Sequence, residues 1–244
     1  MKFENTEVFN FEGALRGMRN PMNSWDKSDS KYCKELACQD CVNKSIRFDC
    51  PYHSNDFVIG KSDLALAQNL IKAGSEHRKF MRQVFVSVDI TAPLYWWKEF
   101  DTYKVGTVAN STSTMHKLAS TPITMDCFEM DDFEDIIRGD NFDYVAEVHW
   151  RNTIKHLEDL RQMYVRTKDI RLWKALIREL PESWLQKRTV TMDYENLLAV
   201  CSKGQRRFHK LTEWSKAFID WARALPYAQE LIFLDELESK DVKL

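Results

Sequence analysis

The stretch 70–114, LIKAGSEHRKFMRQVFVSVDITAPLYWWKEFDTYKVGTVANSTST, decides the fold. Residues 84–90 are rich in β-branched side chains and alternate between apolar and polar toward their end, which predicts a half-buried strand. Pro93 suits a first helical turn, where its missing N–H would be unpaired anyway. The apolar face around Trp97 predicts a helix from this point, and Gly106 is predicted to end it.

A loop rich in short polar side chains follows the predicted helix. Six of the eight residues 107–114 carry a hydroxyl or an amide: Thr107, Asn110, Ser111, Thr112, Ser113 and Thr114. This density of hydrogen-bonding groups suits a phosphate or the edge of a base. An N-capped loop between two helices is the plainer interpretation, and the residues alone leave both open.

The order of strand, Ala-Pro, helix and polar loop resembles the flavin-dependent thymidylate synthases, whose central region carries RHRxxS and then NExSxRY. Counted from Ala92 and Pro93, the first signature falls on residues 102–107. Lys104 keeps a positive charge at the second Arg of that signature, and Thr107 keeps a hydroxyl at its Ser.

Other positions of the two signatures differ from the family pattern. Thr102 replaces the first Arg of RHRxxS, and Tyr103 replaces its His. In the second signature, Asn110 falls at the Glu, Thr112 at the second Ser and Thr114 at the Arg that reaches the nucleotide. The resemblance therefore rests on the order of elements more than on intact motifs.

The C-terminal third resembles a second series of the same family, RxxLP, WTVN, SL, LR and QWE, in order and approximate spacing. The matching residues are Arg178 to Pro181, Val190 to Asp193, Leu197 and Leu198, Arg206 and Arg207, and Glu213 and Trp214. Asp193 and Glu195 replace an Asn and an Arg of the family's flavin pocket. A weaker match covers residues 13–28, and together the matches span about residues 8–30, 58–115 and 173–223.

The resemblance implies one α/β domain of mixed sheet and surrounding helices over residues 1–244, assembled as a homotetramer. It implies FAD, with folate and NADPH as co-substrates, and a pyrimidine nucleotide of the deoxyuridine monophosphate type. The implied nucleotide-binding residues are Arg178, Arg206 or Arg207, Thr112 and Glu99, and the implied cofactor-binding residues are His77, Arg78, Tyr103, Lys104, Thr107 and Asn110. No side chain is expected to act as a nucleophile, because the family uses none and no GxSxG elbow occurs.

Four of the six cysteines cluster within a Cys-rich insertion at about residues 31–55. Cys33, Cys38, Cys41, Cys50 and His53 follow the spacing C-x4-C-x2-C-x8-C-x2-H, which predicts a structural zinc site. An iron–sulfur cluster and simple free thiols or a disulfide are the alternatives. Cys127 and Cys201 are predicted to be ordinary core residues.

Composition narrows the function classes. With 35 basic and 37 acidic residues, a net charge of −2 argues against a dominant nucleic-acid or membrane surface. No long apolar run or signal sequence is evident, so a cytoplasmic location is expected. Seven glycines without GxGxxG or GxxxxGK[ST] disfavour Rossmann and P-loop folds.

Downstream, the sequence predicts packing elements more than chemistry. The acidic stretch 122–143 is predicted to be a solvated connection with a short helix. Residues 145–166 and 169–180 show helical periods, and 211–237 predicts an amphipathic helix that breaks at Pro226. Two functions remain open: a divergent flavin-dependent nucleotide methyltransferase, or a catalytically inactive relative that binds a nucleotide or a protein.

Overall fold

The computed structural model describes residues 1–33, 57–103, 105–130, 143–208 and 211–241. The chain divides into two compact units. The first unit comprises Met1–Asn5, Val88–Lys104 and Val108–Val190, and the second comprises Thr6–Ser87, Val105–Thr107 and Thr191–Leu244.

Four strands form the main sheet in the order β1-β4-β6-β5. They are β1 (Lys2–Phe9), β4 (Phe85–Pro93), β5 (Val108–Ser111) and β6 (Leu185–Asp193). The short strands β2 (Lys31–Tyr32) and β3 (Phe57–Val58) pair antiparallel, with Lys31 opposite Val58 and Tyr32 opposite Phe57. Every second residue of β4 from Val86 to Ala92 is fully buried, as expected for a strand with one face in the core.

The helices lie between and after these strands. They are α1 (Phe11–Arg19), α2 (Lys61–Lys72), α3 (Leu94–Phe100), α4 (Thr114–Lys117), α5 (Asp143–Thr167), α6 (Ile170–Arg178), α7 (Tyr194–Val200), α8 (Lys203–Phe208), α9 (Ile219–Arg223), α10 (Ala228–Leu231) and α11 (Leu234–Asp241). Single 3-10 turns occupy Asn20–Met22, Trp25–Lys27, Lys79–Gln83, Leu118–Ser120 and Met125–Cys127, and a π-helical segment, Glu213–Phe218, precedes α9.

The core of the first unit is built on the hairpin of α5 and α6. Leu157 of α5 and Leu176 of α6 are fully buried, together with Leu118, Ile123 and Phe128 from the segment before α5. The chain reverses between the helices at Lys168, whose φ is 57°, and the Asp169 carboxylate then accepts a hydrogen bond from the Arg171 N–H at 2.9 Å. Asp169 therefore caps α6 in the way that helix starts favour.

The core of the second unit centres on α1, α7 and the C-terminal helices. Phe11 meets the rings of Tyr194 and Tyr227 edge-on, at centroid distances of 5.5 and 5.4 Å. The Tyr194 hydroxyl donates to the Pro226 carbonyl at 2.6 Å. These contacts fix the chain reversal at Tyr227, whose φ of 55° is unusual for a large side chain.

A buried ion pair ties the start of the second unit together. Arg19, 4% exposed, donates from Nε to the Asp63 carboxylate at 2.5 Å, and Asp63 has no exposure. Asp63 also accepts from the Ser28 hydroxyl at 2.6 Å and from the hydroxyl and N–H of Ser30. Burial alone would raise the pKa of Asp63, but the hydrogen bonds from Ser28, Ser30 and Arg19 hold that pKa below its usual value.

Several sequence predictions are confirmed by these elements. The predicted strand 84–90 corresponds to β4, the periods 145–166 and 169–180 correspond to α5 and α6, and the C-terminal helices break around Pro226. Within the stretch 122–143 the structure describes one 3-10 turn, Met125–Cys127, and residues 131–142, where the expected short helix could lie, are outside the described residues.

The predicted end of the central helix is wrong. Helix α3 ends at Phe100, six residues before Gly106. The Thr102 hydroxyl donates to the Glu99 carbonyl at 2.7 Å, and the Thr102 N–H donates to the same oxygen at 3.0 Å, so the last turn tightens. A Thr side chain that bonds its own backbone competes with helix continuation.

Candidate functional site

The turn before β4 brings a predicted cofactor residue to helix α7. Gly74, with φ of 107°, lets the chain reverse so that its carbonyl accepts from the N–H groups of His77 and Arg78. His77 is exposed, whereas the Arg78 Nε donates to the Glu195 carboxylate at 2.8 and 3.1 Å. The side chains of Arg78 and Glu195 are only 24% and 15% exposed, so solvent screens this pair weakly.

The end of the RHRxxS-like segment packs on the start of α7. Val105–Thr107 belongs to the second unit, where the Val105 carbonyl accepts from the Asn196 side-chain amide at 3.0 Å. A Cβ on Gly106 would lie 2.5 Å from the Asp193 carboxylate, and the Gly106 φ is 80°. The structure thus joins two motif segments that are far apart in the sequence, and the contact requires glycine at 106.

Asp193 both caps α7 and carries an unfavourable charge. Its Oδ1 accepts from the Asn196 N–H at 2.7 Å, which satisfies one of the first amide groups of the helix. Burial raises the pKa of Asp193 above its usual value and the neighbouring Glu195 carboxylate also raises it, although the hydrogen bond from the Asn196 N–H and the charge of Arg82 lower it. Ionised Asp193 therefore opposes an anion at this place.

A cavity of about 650 Å³ opens beside α7 within the second unit. Its walls come from the end of α2, the turn that contains Arg78, helix α7, the start of α8, and the start of α11 with the residues just before it. The lining residues are Ile71, Lys72, Arg78, Leu198, Ala199, Ser202, Lys203, Gly204, Ile232, Leu234 and Asp235. This volume lies within the range of small-molecule and cofactor sites.

The charged lining of this cavity favours an anion. Three cations, Lys72, Arg78 and Lys203, stand against the single carboxylate of Asp235. Arg206, which does not line the cavity, binds Asp235 at 2.7 Å and so offsets its negative charge. Lysine and arginine side chains on an otherwise apolar wall fit a phosphate-bearing ligand.

Arg206, a predicted nucleotide contact, is engaged inside the second unit. Its guanidinium contacts the Asp235 and Glu236 carboxylates at 2.7 and 3.3 Å, donates to the Cys201 carbonyl and lies 5.6 Å from the centre of the Phe233 ring. The side chain is 16% exposed. Its contacts therefore tie α8 to α11, the helix that supplies Asp235 to the cavity.

The remaining predicted site residues lie on separate elements of the first unit. Arg178 is exposed in the last turn of α6, Glu99 is exposed on α3, and Tyr103 is half-buried after it. Asn110 is exposed on β5, and Thr112 follows, where its N–H and hydroxyl both donate to the Lys187 carbonyl. Ser113 accepts from the His116 N–H, so the predicted N-cap of a following helix is confirmed. The loop predicted for residues 107–114 is wrong over Val108–Ser111, which form strand β5 and pair in the main sheet.

Sequence reasoning missed Arg188 of β6. Its guanidinium lies 4.2 Å from the centre of the buried Trp97 ring, and it binds the Asp101 carboxylate at 2.9 Å and the Gln186 side-chain oxygen at 2.9 Å. Gln186 in turn donates to the Thr112 carbonyl at 3.0 Å. The sequence signal for Arg188 is an arginine within a strand whose residues alternate between apolar and polar. Its partners Trp97 and Asp101 lie far away in the sequence, so the signal does not identify them.

Most of the predicted metal site falls outside the described residues, namely Cys38, Cys41, Cys50 and His53, as do Lys104 and the side chain of Arg207. Cys33 is half-buried. Among the residues that the structure describes, no group of three or more His, Cys, Asp or Glu side chains is arranged to hold a metal ion.

The two cysteines predicted for the core differ in their burial. Cys201 is fully buried as predicted, and burial raises its pKa to about 12. Cys127 is partly buried and packs against the core of the first unit. Within the described ranges, no helix is both long enough and apolar enough to cross a membrane.

Comparison with solved structures identifies the fold. The chain is similar to flavin-dependent thymidylate synthase ThyX from Helicobacter pylori complexed with FAD and dUMP, with a TM-score of 0.63 and 14% identity over 96% of this chain and 99% of that chain. A second structure of the same enzyme with FAD and dUMP gives a TM-score of 0.60 and 13% identity over 96% and 98%. The predicted α/β fold of the thymidylate synthase type is confirmed. No protein-family model matches the sequence. No curated protein matches it either.

Proposed function

We propose that this chain binds FAD and a pyrimidine nucleotide of the dUMP type, and that it transfers a one-carbon unit from a folate to the nucleotide with NADPH as the source of electrons. The observation that carries the proposal is the shared fold over 96% of this chain and 99% of a ThyX chain complexed with FAD and dUMP. The order of the two signature series along the sequence agrees with it.

The cavity of the second unit supports the proposal through its chemistry. Lys72, Arg78 and Lys203 supply the charge that a phosphate requires, while Leu198 and Ile232 supply apolar wall for a ring system. A largely apolar site with a few fixed polar groups is the usual arrangement for a nucleotide or cofactor. The residues therefore fit a phosphorylated ligand.

The bound flavin would supply the electron transfer that the protein side chains cannot supply. The chain would bind and orient the ligands: His77, Arg78, Tyr103, Lys104, Thr107 and Asn110 toward the cofactor, and Arg178, Arg206 or Arg207, Thr112 and Glu99 toward the nucleotide. The same proposal includes a single domain with a Cys-rich insertion at about 31–55, a homotetramer and a cytoplasmic location. It also includes a structural zinc bound by Cys33, Cys38, Cys41, Cys50 and His53.

An absorbance spectrum of the purified full chain tests the proposal first. Oxidised flavin has visible bands, and we expect them in the purified protein or after FAD is added, with a change in shape when dUMP follows. The variant Lys72→Gln combined with Lys203→Gln removes two cavity cations and should weaken FAD retention. Lys98→Gln is the matched control, because Lys98 is exposed and pairs with Glu182 in the first unit.

A turnover assay with a reduced folate that carries a one-carbon unit, NADPH and dUMP completes the test. Formation of methylated nucleotide that requires all three additions would support the reaction. A protein that takes up no FAD and forms no product under these conditions would refute it.

A second function is favoured by the internal pairing of two arginines. Arg206 is bound by Asp235 and Glu236, and the Nε of Arg78 is bound by Glu195, so part of the cationic capacity near the cavity is already used. This pattern suits a catalytically inactive relative that binds a nucleotide or a protein. Nucleotide binding by a colourless protein that takes up no FAD would identify this second function.

A further inference from the structure

The pair of Arg78 and Glu195 has a geometry that bears on ligand binding. Both carboxylate oxygens of Glu195 accept from the single Nε of Arg78, at 2.8 and 3.1 Å. Among the described residues, these are the hydrogen bonds that the Arg78 guanidinium makes, so its two terminal amino groups make none to a described residue. Arginine offers five N–H donors in a planar fork, and only one is used here.

The position of Glu195 on α7 explains how the pair reaches the cavity. Leu198 and Ala199 line the cavity, and Glu195 precedes them by three and four residues, which places all three on one face of the helix. Arg78 lines the same cavity from the turn before β4. The helix therefore fixes the carboxylate, and the carboxylate fixes the long and otherwise flexible Arg78 side chain against the wall.

We propose that Glu195 is a positioning residue that holds Arg78 so that its terminal amino groups bind phosphate oxygens of an anionic ligand in this cavity. The inference rests on the proposed use of the cavity for a phosphorylated ligand, and it does not depend on flavin chemistry. Holding the side chain in its binding conformation removes part of the ordering cost of binding. This gain must exceed the repulsion between the Glu195 carboxylate and the ligand.

The test measures the affinity of the full chain for inorganic pyrophosphate by calorimetry. We compare the wild type with Glu195→Gln, Arg78→Ala and the double variant. Glu182→Gln is the matched control, because Glu182 is an exposed acid of the first unit that pairs with Lys98. Circular dichroism and the thermal midpoint check that each variant folds, and Glu195→Ala, which also removes the carboxylate, replaces Glu195→Gln if the latter fails to fold.

Glu195→Gln is expected to weaken binding only in the background that retains Arg78. In the wild type, Glu195→Gln should weaken pyrophosphate binding about tenfold, the low end of what a charge-assisted hydrogen bond contributes. In the Arg78→Ala background the same substitution should leave binding unchanged or strengthen it, since only the repulsive charge is then removed. Non-additivity of this kind indicates that one residue acts through the other.

Other outcomes would overturn the inference. Tighter binding by Glu195→Gln alone would mean that the carboxylate competes with the ligand for Arg78. An equal loss in both backgrounds would mean that Glu195 acts on the fold and not through Arg78. If the wild type does not bind pyrophosphate, this inference is refuted, whether or not the protein binds FAD. If the protein takes up no flavin but binds pyrophosphate in a way that depends on Arg78, the inference stands and the proposed flavin chemistry is refuted.

Discussion

Replacement of Asp63 by Asn tests the buried ion pair of the second unit. Asp63 is fully buried and accepts from Arg19, from the hydroxyls of Ser28 and Ser30, and from the Ser30 N–H. An Asn side chain keeps one acceptor oxygen and presents an amino group where the second oxygen was. The amino group would face existing donors, and the charge of Arg19, 4% exposed, would lose its counterion.

The expected loss is about 3 kcal/mol in the free energy of unfolding, the low end for breaking a buried ion pair from one side. The remaining hydrogen bonds place the value at this low end, because Arg19 still donates to the carbonyls of Ser24 and Lys27. For a chain of this size, such a loss lowers the thermal midpoint by roughly 6–12 °C.

Denaturant and thermal unfolding of the full chain measure the effect. Asp26→Asn is the matched control, because Asp26 is exposed in the same unit and the substitution is chemically identical. Combining Asp63→Asn with Arg19→Met should cost less than the sum of the two single substitutions, because each alone leaves a charge unpaired. A stability for Asp63→Asn equal to that of the Asp26 control would refute the buried pair.

Three further predictions concern other parts of the structure and are tested by unfolding experiments. Gly106→Ala should lower the free energy of unfolding by about 1–2 kcal/mol more than Gly74→Ala does. Both glycines have a positive φ, but a Cβ at 106 would meet the Asp193 carboxylate, whereas a Cβ at 74 would have nothing within 4 Å. Equal losses would contradict the close approach. The pKa of Asp193 is raised in the folded state, so the free energy of unfolding falls as pH rises through the usual carboxyl range. Asp193→Asn should therefore be neutral or stabilising at pH near 7. Asp193→Ala should instead lose about 1 kcal/mol, because it removes the cap of helix α7. Destabilisation by both variants at neutral pH would count against this. The hydrogen bonds from Arg161 lower the pKa of Glu158 from 4.5 to about 2, so Glu158 stabilises the folded state at neutral pH and this stabilisation disappears as pH falls from 4.5 to about 2. In Glu158→Gln, the free energy of unfolding should depend less on pH in this range. An unchanged pH dependence would refute the pairing of Glu158 with Arg161 as its cause.

The parts of the fold that the sequence predicts are those that local patterns determine. Strand β4 and helices α5 and α6 follow from apolar periods of two and of about 3.6 residues, and Asp169 marks the start of α6 by its capping chemistry. The end of α3 predicted from Gly106 is wrong, because Thr102 closes the helix through its own side chain. A glycine often ends a helix, but a hydroxyl that bonds a nearby backbone carbonyl can end the helix several residues before the glycine.

The parts that the sequence does not predict depend on distant partners. Arg19 and Asp63 are 44 residues apart, and Arg78 and Glu195 are 117 apart, so no local pattern shows that they pair. Arg188 likewise acquires its role from Trp97 and Asp101, which lie about 90 residues earlier. Sequence reasoning places Arg78 near the cofactor but does not identify the carboxylate that holds it.

The fold of this chain and the placement of its charges are subject to different physical constraints. A chain keeps a backbone arrangement when its close approaches survive, and the approach of Gly106 to Asp193 is such a constraint. Charge is less constrained, because a cation can be supplied from another segment that faces the same cavity. Arg78, which is paired with Glu195, brings a guanidinium to the cavity from the turn before β4. The proposed anion binding therefore depends on where the charges meet in space, which is why the paired substitutions of Arg78 and Glu195 are more informative than either one alone.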